Sequence, residues 1–515
     1  MRDKSLLRER WFVGVLTILT LTHFLSLYKL GYPYTDFGTV LVTSDPLTYL
    51  LHNGFFDLDT IYRSQINYFT GNPFFLLPFF HIFGSGPASQ RLVLIFFASL
   101  TTLFCVLAYR NIFSCRDSIL GALVLLNFSA YLTFWSMDYS YVLAFTAFLL
   151  FLFTEWYENK RDDAIYLLAY FSGLFFYFKA IIAYIVISFI FSYILTSYAE
   201  LKERLSMRML FISFVLFLSG IFPFLVYSYG IEFAYIEDVS TAEENYDRLE
   251  RSGYEPNLKN ILGYRIKQLN YLLDPDTHYG LSEFPEPGIE FPSLITVGVI
   301  AAAVFTTFRT RYKVYSIGMI LVFISSLYVT QGMNPQQLIV LIPFVPIVII
   351  SVIDILIKND YEDIFYIIMF LLLVIGFLNS LESLNESVEY TTPRESDLEQ
   401  SLYEDFELTN IEGDVATNTW TVYQAASYSL AIKERKFISS EDDIPDTPFS
   451  VHLSRDRKDI DDNFENTTLL LYGGESCPES FCGYNSQKIM DELQITESSI
   501  ENISIGETKY LLVRN

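Results

Sequence analysis

Long apolar runs, each followed by a short polar segment, occupy the first three quarters of this chain. The last quarter changes to short alternating segments. Eleven runs read as membrane-spanning helices, near 11–30, 88–108, 118–136, 139–157, 163–179, 181–199, 208–229, 292–308, 314–331, 336–357 and 363–380. Between the first two lies a long loop, 31–87. Within it 46–55 reads as a short helix, and NPFFLLPFFHIFG (72–84) as an interfacial or re-entrant helix interrupted by Pro78. A second long loop, 231–290, is rich in Tyr and Glu with basic residues near its middle. Beyond it the strand candidates are DVATNT (414–419), TTLLLYG (467–473) and TKYLLVRN (508–515), with a helix expected at 421–433. The pattern predicts a polytopic α-helical membrane module over 1–384, with exterior loops 31–87 and 231–290, followed by a soluble α/β domain over 385–515. There is no internal repeat and no low-complexity tract.

Basic residues orient the module. Arg2, Lys4, Arg8 and Arg10 precede the first run and place the N-terminus in the cytoplasm. Alternation then puts Arg110/Arg116, Lys160/Arg161, Lys202/Arg204/Arg208, Arg309/Arg311/Lys313 and Lys358 on the same side. The opposite loops are nearly free of Lys and Arg, apart from Arg63 and the 231–290 loop. Eleven spans therefore leave the C-terminal domain outside the cell membrane. The first run has no small-residue cleavage site and the chain stays hydrophobic after it, so it reads as a retained anchor.

Composition fits this class: 52% of the 515 residues are hydrophobic and 17% aromatic. The net charge of −25 is unevenly spread. From residue 381 onward, 28 acidic against 10 basic residues give −18, which argues against nucleic acid as a partner. Cys105 and Cys115 fall in or beside the second run. Cys477 and Cys482 lie in the exterior domain with a turn between them and are candidates for a local disulfide. Asn385, Asn466 and Asn502 head glycosylation sequons.

Ionisable residues next to a bilayer are costly and mark chemistry or a partner. Asp45 opens the short helix of the first loop, and the next turn presents Tyr49; Ser44, Asp45 and Pro46 also suit a helix N-cap. Asp36 is its rival in the same loop. Asp138 follows the aromatic run FWSM at the exterior end of the fourth span, Lys179 ends the fifth, and Arg91 starts the second. Lys179 could also be a snorkelling lysine. Acids and cations at one membrane face suit sugar transfer from a lipid phosphate. One carboxylate takes the acceptor proton opposite the leaving group, and cations hold the departing phosphate. Asp45 is the candidate base, Asp138 orients the acceptor or Lys179, and Lys179 and Arg91 grip the phosphate. A lipid-linked donor suits an exterior site, where nucleotide sugars are not expected.

In this order and sidedness the chain resembles the GT-C membrane glycosyltransferases, particularly glycosyltransferase family 39, the dolichyl-phosphate-mannose protein mannosyltransferase type. The likeness covers roughly 10–360. Asp45 and Tyr49 match the family's first-loop motif, and GNPFFLLPFFHIFG followed by Arg91 resembles its Pro-containing turn and interfacial helix. Asp138 matches its second acid, Gly173 and Lys179 its Gly-x-x-x-x-x-Lys pattern, and NPQQLIVLIPFVP its late loop, giving Gln337 a substrate-binding place. Three positions depart. Pro46 replaces the second acid of the first-loop pair, Gln336 and Gln337 replace the late loop's basic residue, and Ala180 replaces a Gly.

The resemblance implies an inverting mannosyl- or hexosyltransferase that uses a polyprenyl-phosphate-linked sugar, with a glycan, lipid or protein acceptor and no cofactor. The oligosaccharyltransferase signature WWDYG is absent. No metal site of His/Cys/carboxylate type appears, although a divalent ion held by Asp36, Asp45 and Asp138 stays open. A transporter or non-catalytic scaffold is the alternative. Ionisable residues clustered at one face, without an internal repeat, favour the enzyme.

Overall fold

A computed structural model describes residues 78–79, 82, 87–135, 137–178, 182–230, 258–273, 293–309, 312–327, 335–356, 367, 370–371, 374, 414–417, 450–452, 467–472, 490, 500–505 and 508–513. The chain forms two compact units, residues 1–31 with 90–386, and residues 32–89 with 387–515.

The first unit is helical. Its described helices are α1 (Pro87–Ile112), α2 (Cys115–Trp135), α3 (Met137–Tyr157), α4 (Asp162–Phe178), α5 (Ile182–Arg204) and α6 (Met207–Gly230). After the second long loop come α7 (Leu258–Leu273), α8 (Leu294–Arg309), α9 (Lys313–Ser326), a 3-10 helix (Pro335–Phe344) and α10 (Val345–Leu356). Each apolar run expected between 88 and 357 overlaps these helices, the last, 336–357, covering both the 3-10 helix and α10. The runs at 11–30 and, for the most part, 363–380 lie outside the described residues.

Polar residues stop and start the helices. The Ser114 hydroxyl accepts the Asp117 N–H at 3.2 Å and donates to the Asp117 carboxylate at 2.6 Å, capping α2. Ser206 and Ser293 cap α6 and α8 in the same way, accepting from the Met209 and Thr296 N–H groups at 3.1 and 3.3 Å.

Two stretches, Ile182–Glu200 and Met207–Leu225, are long and apolar enough to cross a membrane, yet only 33% and 17% of them are buried. A helix in a water-soluble core would be mostly covered. Here Ile190, Phe191 and Leu195 of α5 and Phe211, Phe214 and Phe222 of α6 face outward. Contiguous apolar surface on this scale is stable against hydrocarbon, not water. The protein is built for a membrane.

Inside, aromatic rings fill the space between helices. Phe145 of α3 stacks on Phe175 of α4 with centroids 3.8 Å apart, and Phe153 stacks on Phe189 of α5 at 4.5 Å. Helices α4 and α6 meet most intimately, through Gly173 and Gly220. A Cβ at Gly173 would lie 2.8 Å from the Ile221 backbone N and closer still to the Phe217 carbonyl. One at Gly220 would meet Leu174 N at 2.9 Å and crowd the Tyr170 carbonyl. Only two glycines allow backbones this near.

The 3-10 helix has a local cause. Pro343 and Pro346 each remove a donor that an α-helix would use, so the segment tightens before α10 begins. The buried Tyr109 hydroxyl then donates to the Pro343 carbonyl at 2.9 Å, tying this segment to α1.

The described strands of the second unit form a five-stranded sheet. Its strands are β1 (Asp414–Thr417), β2 (Ser450–His452), β3 (Thr467–Tyr472), β4 (Ile500–Ile505) and β5 (Thr508–Val513), in spatial order β2-β1-β3-β5-β4. Strands β1, β3 and β5 fall inside the three segments expected from the sequence, while β2 and β4 were not anticipated. β1 runs parallel to both β2 and β3, whereas β5 is antiparallel to β3 and β4. Leu471 and Leu512 point to opposite faces of the sheet, and both are buried. The sheet is covered on two sides, as parallel strands require.

Candidate active site

The helix ends of the first unit sort into two groups. At one end the Tyr315 hydroxyl, near the start of α9, donates to Glu158 just past α3 at 3.0 Å. Tyr312, just ahead of α9, donates to Asp354 near the end of α10 at 2.8 Å, and its ring lies 5.0 Å from Phe113 beyond α1. Arg204, closing α5, donates to the Trp156 carbonyl and to Asp162 of α4, both at 3.0 Å, and its guanidinium sits 5.2 Å from the Trp156 ring.

Other charges complete this end. Lys160 pairs with Glu200, and Asn111 bridges Thr154 and Glu155 at 3.0 and 2.7 Å. Arg161 donates to Asp163 at 2.7 Å, which holds that carboxyl below the usual carboxylate range. Arg110, Lys202, Arg208 and Lys313 lie at the same helix ends. This is the basic end of the unit.

The other helix termini must therefore lie at the opposite end, because each short connection reverses the chain. Those termini carry the sequence candidates. Arg91 is the fifth residue of α1, Asp138 the second of α3, and Gln337 the third of the 3-10 helix. Lys179 follows Phe178, the last residue of α4. The fold brings Arg91, Asp138, Gln337 and the end of α4 to one end of the helical unit. Asp36, Asp45, Tyr49, Lys179, Cys477 and Cys482 lie outside the described residues, as do the side chains of Arg91, Asp138 and Gln337. Among the described residues no group of three or more His, Cys, Asp or Glu is placed to hold a metal ion.

Helix α7 adds what the sequence reading missed. Asn270 anchors it to the start of α8, its side-chain oxygen accepting from Ser293 N–H at 2.6 Å and from the Thr296 hydroxyl at 3.0 Å. The helix packs along the 3-10 segment. It therefore sits at the same end as Arg91, Asp138 and Gln337. Arg265 is only 1% exposed, Lys267 6%, and Gln268 0%. The Arg265 guanidinium donates to the Gln268 side-chain oxygen at 2.7 Å, and the buried Gln268 amide nitrogen keeps its own donors without a hydrogen-bond partner. Arg265 and Gln268, three residues apart, share a face of α7, so a buried cation and an unpartnered amide donor lie together there, a combination that suits an anion such as a phosphate. A signal was present. In LKNILGYRIKQLNYLL, Arg265 stands four residues from both Ile261 and Leu269, inside the apolar stripe where a leucine is expected.

Gly173 also gains a physical meaning. It lets α6 approach α4 six residues before Lys179 in the chain.

The model of the dolichyl-phosphate-mannose-protein mannosyltransferase family matches residues 71–227. That stretch runs through α1–α5 and most of α6, and contains Arg91, Asp138, Gly173 and Lys179. The crystal structure of ArnT from Cupriavidus metallidurans bound to undecaprenyl phosphate superposes with a TM-score of 0.58 at 11% identity. The match covers 98% of this chain and 97% of that one. The apo form of the same protein gives a TM-score of 0.58 over 98% of both chains. The chain shares the fold of that ArnT structure. The Archaeoglobus fulgidus oligosaccharyltransferase tethered to an acceptor peptide gives a TM-score of 0.47 at 14% identity, over 82% of this chain and 63% of that one. No curated protein matches the chain. Of the sequence candidates, Asp36, Asp45, Tyr49 and Gln337 fall outside the stretch matched by the family model.

Proposed function

We propose that this protein transfers a sugar from a polyprenyl-phosphate donor to a protein, lipid or glycan acceptor at the extracytoplasmic face, with inversion at the anomeric carbon. One observation carries the reading: in a GT-C fold, Arg91, Asp138, the end of α4 and the buried cations of α7 share the end of the helical unit opposite the basic end. The positive-inside rule assigns the basic end to the cytoplasm, so the candidate site faces outward.

Asp45 takes the proton of the acceptor hydroxyl as its oxygen attacks the anomeric carbon. The bond from that carbon to the phosphate oxygen breaks, and the polyprenyl phosphate leaves with the bonding pair. The leaving group needs no acid, because a phosphate departs as an anion; it needs cations. Lys179, Arg91, Arg265 and Lys267 supply them, and the free Gln268 amide donates to a phosphate oxygen. Asp138 orients the acceptor or Lys179. Tyr49, Asp36 and Gln337 contribute sugar contacts. A mannosyl donor and a dolichyl carrier are the specific forms that the matched family suggests.

The test compares glycoproteins and glycolipids from a deletion strain and its parent by mass spectrometry. One class of glycoconjugate should lose a hexose in the deletion strain and regain it on complementation. An unchanged glycan profile with altered solute flux would favour a transporter.

Arg265 offers a sharper check within the site. Arg265→Met keeps the length and apolar stem but removes the charge and leaves the buried Gln268 side-chain oxygen without its 2.7 Å donor, at a cost of about 1–3 kcal/mol to the fold. Affinity for undecaprenyl phosphate should fall at least tenfold, with only a modest drop in the unfolding midpoint in detergent. A lowered midpoint with unchanged affinity would make Arg265 structural.

A further inference from the structure

An Asn-x-Ser triplet can be modified only where its asparagine amide can be reached. Two such triplets begin at described residues, Asn127-Phe128-Ser129 and Asn502-Ile503-Ser504. The first lies in α2 of the helical unit, where Asn127 is half-buried and its amide nitrogen donates to the Leu123 carbonyl at 2.7 Å. A helix inside a membrane unit gives no enzyme access to that nitrogen. Asn502 stands in β4 of the second unit and is exposed. Asn385 and Asn466 lie outside the described residues.

The register of the sheet explains why Asn502 is open. In the order β2-β1-β3-β5-β4, β4 comes last, so among the described strands it has a neighbour on one side only. Leu471 pairs with Leu511 and Leu511 with Asn502, a row of three positions across β3, β5 and β4. Paired residues share a face of the sheet and strands lie about 4.8 Å apart, so the row spans about 10 Å. Along it Leu471 is 0% exposed, Leu511 is half-buried and Asn502 is exposed. The cover over this face runs out between β5 and β4. A group attached to Asn502 extends from the rim of the sheet and needs no core residue to move.

The rim is also where a large polar group has a use. An edge strand presents unpaired N–H and C=O groups to any other strand, and natural sheets block such edges with lysine, proline or a covering segment. β4 reads Ile-Glu-Asn-Ile-Ser-Ile, with three isoleucines, one charge and neither lysine nor proline. Such a strand pairs readily. A glycan is bulky and solubilising, and on Asn502 it stands where those guards are missing.

We propose that Asn502 is a site of N-glycosylation. This rests on the outward orientation given above, which puts the second unit on the side where lipid-linked sugars are transferred. The reaction takes a separate oligosaccharide-transferring enzyme and a lipid-phosphate-linked oligosaccharide as donor. The Asn502 amide nitrogen forms a bond to the anomeric carbon, and that carbon's bond to the donor phosphate oxygen breaks. The lipid phosphate leaves with the bonding pair, and the amide gives one proton to a base of that enzyme.

The test digests full-length protein purified from the membranes of its own host and sequences the peptide containing Asn502 by mass spectrometry. That peptide should carry a glycan on the Asn502 amide. Asn502→Gln and Ser504→Ala should both lose it, and Ser504→Thr, which keeps the sequon hydroxyl, should retain it. Because Ser504→Ala leaves the asparagine in place, its loss ties the modification to the triplet. Protease added to intact cells reports the side of the tail independently. An unmodified Asn502 in a tail that is digested overturns the proposal and leaves the orientation standing. A tail digested only after lysis overturns both. A modification that survives Ser504→Ala also overturns the proposal, because its chemistry is then not that of the sequon.

Discussion

Asp45→Asn lowers the transfer rate by about 10²–10⁴-fold and leaves donor binding and protein yield unchanged, if Asp45 is the base that takes the acceptor proton. Asparagine is the informative replacement because it caps a helix about as well as aspartate. The cap reading and the catalytic reading of Asp45 therefore separate cleanly. A residue that only starts a helix tolerates the change, whereas a base does not, because an amide has no lone pair basic enough to accept the proton. Pro46 stands where the resembling family carries a second acid, so the adjacent position offers no carboxylate to take over. The measurement is transfer from a polyprenyl-phosphate sugar in membranes, alongside donor binding. Retained transfer would return Asp45 to the role of a cap.

The second large effect is on assembly. Gly173→Leu abolishes the folded protein, and Gly173→Ala already destabilises it, by about 1–3 kcal/mol on the usual scale of overpacking. The atoms in the way are backbone, Phe217 O and Ile221 N, so no side chain can rotate aside to relieve the clash. Gly220→Ala faces the backbone of Tyr170 and Leu174 and should behave alike. Gly263 and Gly298 are the controls. Nothing lies within 4 Å of a Cβ at either, so alanine there should be neutral or stabilising, by up to about 1 kcal/mol of helix propensity. Unfolding midpoints in detergent for the four alanine variants test the contrast directly. If Gly173→Ala matched Gly263→Ala, the close crossing of α4 and α6 would be refuted.

Much of the helical unit could be read from the chain because its helices are nearly continuous apolar runs that end at Ser, Asn, Asp, Lys and Arg. The short connections also made it clear which termini share an end. Contacts made by residues far apart in sequence could not be read. Gly173 stood out only as part of a motif, because its partner Gly220 lies 47 residues on and no local pattern links the two. Helix α7 went unrecognised within the 231–290 loop because its stripe is broken by Arg265, the residue that now matters most there. The 3-10 segment read as one apolar span with α10, although Pro335, Pro343 and Pro346 already marked it as unable to hold an α-helical ladder. In the tail, β2 and β4 are only three and six residues long and carry charge or polar residues at alternate places, so pairing partners rather than propensity define them.

That 3-10 segment works as a spacer. Each of its residues advances about 2.0 Å along the axis against about 1.5 Å in an α-helix, so the seven steps from Phe344 back to Gln337 are roughly 3–4 Å longer than the same steps in an α-helix. The Tyr109 hydrogen bond to Pro343 clamps the inner end, so the whole gain in length goes to the outer one. The prolines set the height of Gln337 above the membrane interior, and a substitution that restored the α-helical ladder would retract it by about the diameter of a water molecule without altering a single residue at the site.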